Sequence, residues 1–158
     1  MRHNIKIYEE MNTDDSRRFY PAHFPVATIE PLKTNFIILE SPEDIRRGLL
    51  SLVSFNEGDL IAQCMGVALP FQTLHTLRQS DGHYIHDTFF AGYLLHSCDF
   101  NARLDMSDFT LHAVKQIMPF ELITIFYPAT EAVLYQNFDC SCGSENCIKY
   151  VTGYSERE

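Results

Sequence analysis

Cys140, Cys142 and Cys147 form a C-x-C-x4-C cluster within FDCSCGSENC, and Cys98 stands about 40 residues upstream in LLHSCDFN. Four thiols are what a closed zinc site needs. Zinc takes four tetrahedral ligands and binds thiolate strongly, so three cysteines from a tail and one from a distant segment would staple that tail to the body of the fold. The plainer alternative is a set of reduced thiols in a mobile terminus; the Cys142-Gly143-Ser144 turn and the Cys98 partner favour metal. Cys64 is then left over, and a free cysteine is most often a small buried hydrophobe.

The elements that must position this cluster belong to a chain of 158 residues with 46% hydrophobic and 13% aromatic content, enough for one core with a small appendage. Its 21 acidic against 12 basic side chains give a formal charge of -9. Attraction to nucleic-acid phosphates or anionic lipid is therefore expected to be weak, and a cationic partner suits the chain better. Met1 to Asp15 carries charges and no apolar block, so no secretory leader is expected and a cytoplasmic location follows. In a reducing compartment an odd number of cysteines favours metal ligation over a disulfide framework. The run Leu60 to Leu77 has no charged side chain, but Gln63, Pro70, Gln72 and His75 interrupt it, so it reads as two buried strands with a turn rather than a membrane span.

Punctuation is frequent and the segments between are short, the texture of many small strands. Residues 1–31 are polar and broken by Pro21, Pro25 and Pro31, an arm packed by Phe19, Tyr20 and Phe24 that braces the core. Residues 35–40 and 49–53 read as strands, and Asn56-Glu57-Gly58-Asp59 as a tight turn into a third at 60–65, together a meander. Further strands are expected at 73–77, and as a pair at 109–115 and 121–127 joined through Met118-Pro119. Short helical segments are expected at 88–95 and 129–137. His83-x-x-His86-Asp87 lacks a helix and a third ligand and reads as a solvated loop; His112 alternates with Leu111 and Ala113 as a structural strand residue.

Taken together, four separated strings resemble, in order, the SET domain of protein lysine methyltransferases. Arg46-Arg47-Gly48 followed by Phe55-Asn56-Glu57-Gly58-Asp59 is similar to the family's glycine-containing entry strand and following turn. Leu95-His96-Ser97-Cys98-Asp99-Phe100-Asn101 resembles its Asn-His-Ser-Cys-x-Pro-Asn signature. Glu121 to Tyr127 resembles the strand that ends on the catalytic tyrosine, and Phe138 to Cys147 resembles the post-SET tail, which binds zinc with the signature cysteine. The resemblance implies a mostly β fold with short helices, of the β-clip type, with several small sheets, a threaded pseudoknot and a C-terminal zinc-binding tail. It divides the chain into a flanking arm (1–34), a SET domain (35–131) and a cysteine tail (132–158).

The same resemblance implies S-adenosylmethionine-dependent methylation of an amine, with a protein lysine as the default acceptor and a small-molecule amine as the variant. It implies Tyr127 as catalytic, Arg47, Gly48, Leu95 and His96 as cofactor-binding, and Cys98, Cys140, Cys142 and Cys147 as zinc ligands. Several positions depart from the pattern. Arg46 replaces the first glycine, Leu95 an asparagine that helps hold the cofactor, Phe100 the proline and Phe126 an acidic residue. Cys64-Met65-Gly66 stands where the family often has a second active-site tyrosine, which makes Cys64 a weak substrate-pocket candidate. These replacements keep open a noncatalytic SET-like binding module.

Overall fold

The computed structural model describes residues 17–40 and 47–157; Arg46, with the rest of 41–46 between the expected strands at 35–40 and 49–53, lies outside them. Among the described residues, twelve short strands build five small sheets. Strand β1 (Phe36–Glu40) pairs antiparallel with β2 (Arg47–Ser51), Ile37 opposite Leu50 and Leu39 opposite Gly48. Strand β3 (Leu60–Gln63) is entered through the expected Asn56–Asp59 turn, where Gly58 takes φ 89° and Asp59 N–H reaches the Asn56 carbonyl at 3.0 Å. The meander ends there, because β3 does not lie beside β2. It pairs instead with β9 (Thr110–Ala113), which also pairs with β8 (Ala102–Asp105), giving the order β3-β9-β8.

A second three-stranded sheet orders β4 (Val67–Leu69), β6 (His83–His86) and β5 (Thr76–Ser80) as β4-β6-β5. The HYIH segment is thus a central strand and not a solvated loop. Its histidines are the flanks of a partly exposed sheet, which gives no apolar alternation to read. The uncharged run 60–77 contains β3, β4 and the start of β5, and no helix among the described residues is long and apolar enough to cross a membrane.

The expected helix at 88–95 is only the 3-10 turn Ala91–Tyr93. The buried Asp87 carboxylate caps the start of that turn, and the chain ends it at Gly92 and Leu94. The carboxylate accepts the main-chain N–H groups of Phe89, Phe90 and Ala91 at 2.9, 2.9 and 2.8 Å, capturing donors at the start of the turn. Gly92 packs against the Asp87 carbonyl, where a Cβ would collide, and Leu94 leaves with extended backbone. The expected pair of strands at 109–115 and 121–127 is also replaced: β9 joins β3 and β8, while β10 (Thr124–Ile125) runs parallel to β7 (Leu95–His96). Helical structure near 129–137 is confined to the 3-10 turn Tyr127–Ala129.

The core gathers Phe36, Leu49, Ile61, Phe90, Leu94, Leu111, Ile117, Ile123 and Ile125 from these small sheets. The arm is anchored to it. Buried Arg18 meets Glu30 at 2.8 Å and donates to the Phe24 and Pro25 carbonyls at 3.3 and 3.1 Å. Tyr20, 2% exposed, donates to Asp87 Oδ2 at 2.8 Å and accepts the Met65 N–H at 2.9 Å. Tyr20→Phe leaves the Met65 N–H unmatched in the core and takes one of four donors from the buried Asp87 carboxylate, and is expected to destabilise the fold by about 2–3 kcal/mol. Chemical denaturation measures this, and a loss below about 0.5 kcal/mol would remove the arm's anchoring role.

Candidate active site and metal centre

The parallel pairing of β7 with β10 is the organising contact, with Leu95 opposite Thr124 and His96 opposite Ile125. It joins the signature string to the tyrosine string across about 30 residues of sequence. Buried Asn101, the last residue of the signature, fastens the same junction: its Nδ2 donates to the Leu122 carbonyl at 2.8 Å and its Oδ1 accepts the Thr124 N–H at 2.9 Å. Asn101→Ala removes both bonds and leaves main-chain groups unpaired beside β10. A destabilisation of about 2–4 kcal/mol is expected, with faster amide exchange at Thr124. Unchanged exchange there would contradict the fastening role.

Tyr127 follows directly. The Phe126 backbone is extended and the chain then tightens into the 3-10 turn, so the tyrosine stands at the strand's end. Its hydroxyl donates to the Leu94 carbonyl at 2.6 Å, and its ring meets His96 and Phe138 edge-on with centroids 5.3 and 6.0 Å apart. The His96 Nδ1 accepts the Tyr127 N–H at 3.2 Å. Burial, with a smaller push from Arg157, pulls the imidazole pKa down to about 4, so the ring is neutral at pH 7.

Gly48 lies buried on β2, opposite Leu39, and β2 packs against β7 and the Ala91–Tyr93 turn. A Cβ at Gly48 would meet Leu95 Cδ1 and Leu122 Cδ2, each at 3.0 Å, so leucine side chains line its face. Exposed Arg47 pairs with Glu40 at 3.1 Å and sets its guanidinium 5.9 Å from the Tyr93 ring centroid. Arg47, Gly48, Leu95, His96 and Tyr127 thus occupy adjoining strands and turns. Cys64 lies in the core at 2% exposure. Burial raises its thiol well above the usual range, Asp87 adds to the effect, and the neighbouring Tyr20 hydroxyl opposes it. A groove of about 460 Å³ adjoins the end of the Tyr127–Ala129 turn, lined by Arg78, Arg103, Ala129, Thr130 and Tyr154 among others.

The four tail-site sulfurs converge. The Sγ atoms of Cys98, Cys140, Cys142 and Cys147 all lie within 4.8 Å of one another, a set that could hold a metal ion. Cys98 and Cys140 are 3.8 Å apart, far beyond the roughly 2.05 Å of a disulfide, and none of the cysteines is bridged. Burial pushes the Cys98 and Cys140 thiols up, Cys140 to about 12, whereas the hydroxyl and N–H of Ser144 draw Cys142 down to about 5. A cation among sulfurs this close would stabilise them as thiolates. The tail also lacks a core there: residues 139–150 include no buried side chain. Its ordered frame is the two-residue hairpin of β11 (Phe138–Asp139) with β12 (Tyr150–Val151).

Several residues that build this region carried no sequence signal of their own. Asp87 was hidden in an apparent loop and Tyr93 in an apparent helix, whereas Phe138, already the first residue of the tail string, serves in addition as a ring against His96 and Tyr127.

This arrangement is the SET-domain fold. KRYPTONITE in complex with mCHG DNA and SAH matches with a TM-score of 0.61 at 19% identity, over 73% of this chain and 28% of that one. A second KRYPTONITE complex, with mCHH DNA, H3(1-15) peptide and SAH, gives 0.60, 19%, 73% and 29%. The methyltransferase domain of human histone-lysine N-methyltransferase SETMAR gives a TM-score of 0.55 at 18% identity, over 73% of this chain and 56% of that one. By sequence, methyltransferase flvH of Aspergillus flavus is 31% identical over 112 residues, covering 68% of this chain and 62% of the relative. The match thus spans less than two-thirds of that protein's length. No protein-family model matches the chain.

Proposed function

We propose that this chain is an S-adenosylmethionine-dependent N-methyltransferase whose acceptor is an amine, by default a protein lysine, and that its four cysteines bind one zinc ion. The observation that carries the reading is the β7–β10 pairing, which sets Tyr127 against the Leu94 carbonyl beside Leu95, His96 and Gly48. The methyltransferase relative and the SAH-bound complexes of similar fold support it. For zinc, bonds of about 2.3 Å to four tetrahedral thiolates space the sulfurs about 3.8 Å apart, the distance found between Cys98 and Cys140.

The residues present fit the cofactor in kind. Leu95 and Leu122 offer an apolar surface suited to a purine, and Arg47 with Tyr93 closes one flank. S-adenosylmethionine supplies an electrophilic methyl group on a sulfonium. The chain's own task is then placement: ordering the reactants can be worth about 7–11 kcal/mol when reacting atoms are brought to about 3–3.5 Å. A lysine amine has an ordinary pKa of about 10.4, and an aromatic, partly dry surround of Tyr127, Phe126 and Phe138 favours its neutral, nucleophilic form. The Tyr127 hydroxyl donates a hydrogen bond to the Leu94 carbonyl, which fixes the phenol oxygen that orients the amine.

The test is calorimetric titration with S-adenosylmethionine, followed by transfer of labelled methyl to histone peptides and, separately, to free diamines. Heat of binding with label on either acceptor supports an enzyme. Leucine at positions 95 and 122 against Gly48 favours one second reading, a SET-like binding module without catalysis, and absence of binding at millimolar cofactor would select it.

A further inference from the structure

We propose that His96 is a positioning residue that joins the cysteine cluster to Tyr127, one ring nitrogen donating to the Cys98 sulfur and the other accepting the Tyr127 main-chain N–H. The inference rests on the reading that the cluster holds a metal. A main-chain N–H can only donate, so the 3.2 Å contact from Tyr127 N requires a lone pair on His96 Nδ1. A neutral imidazole with a free Nδ1 carries its proton on Nε2. That nitrogen stands 3.5 Å from Cys98 Sγ, within reach of an N–H···S bond. Cys98 also accepts the Ile148 N–H at 3.4 Å. The sulfur therefore receives one N–H from the body of the fold and one from the tail.

The ring has little freedom to leave this bridge. It packs against Phe126, Tyr127 and Phe138 with centroids 5.4, 5.3 and 5.9 Å away, and Phe138 opens the tail hairpin. Seating the tail on a metal thus fixes Cys98, Cys98 and Phe138 fix the imidazole, and the imidazole fixes the amide at the entry to the Tyr127 turn. Partners outside the ligand shell commonly alter metal retention by about 10–100-fold, the scale expected for one N–H to a thiolate.

Three substitutions separate the two halves of the bridge. In His96→Gln the side-chain amide can donate where Nε2 stood but offers nothing at Nδ1. In His96→Asn the carbonyl can accept at Nδ1 but does not reach Cys98. His96→Phe keeps a ring and loses both. The 158-residue chain is loaded with cobalt(II) in place of zinc, and three quantities are read: the sulfur-to-cobalt charge-transfer bands, the rate of metal release to a chelator, and amide exchange at Tyr127.

Wild type and His96→Gln should share band energies and release rates. His96→Asn and His96→Phe should shift the bands to lower energy, since a thiolate without its N–H donates more readily, and release metal about 10–100-fold faster. Exchange at Tyr127 should follow the opposite pattern, at least about tenfold faster in Gln and Phe and protected in Asn. Three variants identical to wild type, or all three equally altered, would overturn the bridge. Wild type that gives no thiolate bands with cobalt would overturn the metal reading and the bridge with it. Normal wild-type bands left unmoved by Asn and Phe would sink the bridge alone.

Discussion

Tyr127→Phe is expected to lower methyl transfer about 100-fold or more while leaving the fold intact. The hydroxyl is the only atom removed, and its bond to the Leu94 carbonyl is partly buried, so the stability cost should be about 1 kcal/mol. Its catalytic share is larger, because the loss falls on alignment of the reacting nitrogen, where small misplacements cost about two orders of magnitude. The effect should appear in kcat with cofactor affinity nearly unchanged, since the cofactor is assigned to Arg47, Gly48, Leu95 and His96 rather than to this hydroxyl. A variant with wild-type turnover would refute the catalytic assignment. One that lost turnover together with cofactor binding would move Tyr127 from the acceptor side of the site to the cofactor side.

Cys98→Ser is expected to have the largest effect of any single change on the structure of the tail. Structural zinc sites are worth about 10–16 kcal/mol in total, so one ligand's share of about 2.5–4 kcal/mol corresponds to a loss of about 10²–10³-fold in metal affinity. Residues 139–150 have no buried side chain to hold them once the metal leaves. Limited proteolysis should then cut within the segment from Cys140 to Lys149. The chain beyond should stay docked, because Val151 is fully buried and the Tyr154 N–H reaches the Glu131 carbonyl at 2.9 Å. Chelator treatment of the wild-type chain should reproduce the same cleavage. Resistance to protease in both cases would show that the tail is held without metal.

The residues that chemistry constrains were the ones most legible in the sequence. A thiol cluster, a signature loop and a tyrosine at a strand end have few substitutes, so Cys98, Cys140, Cys142 and Cys147 could be named together before any fold was known, and the sulfurs do converge. The SET fold was legible for the same reason, from strings in order. What the sequence did not disclose was partnership. The parallel pairing of Leu95-His96 with Thr124-Ile125 involves two residues on each side, too short for any periodicity, and β3 passes over its neighbour β2 to pair with β9. The helix expected at 88–95 stops after one turn, since Gly92 closes on the Asp87 carbonyl and Leu94 turns extended into β7. Polar strands misled as well, as His83 and His86 show on β6.

Asp87 draws these misses together. Read as part of a solvated loop, it is fully buried, accepts from Tyr20 as well as from the turn, and so ties the arm to the segment that leads into Leu95. Desolvation raises its carboxyl pKa, against which those hydrogen bonds pull. No pattern of hydrophobicity marks such a residue, because its importance lies in the donors that surround it.

Zinc K-edge X-ray absorption on the purified chain tests the central claim most directly, that four thiolates and one metal seat the tail beside Tyr127. The account predicts one zinc per chain with a first shell of four sulfurs at about 2.3 Å. A first shell of oxygen and nitrogen, or a well-folded chain with no stoichiometric metal, would contradict it.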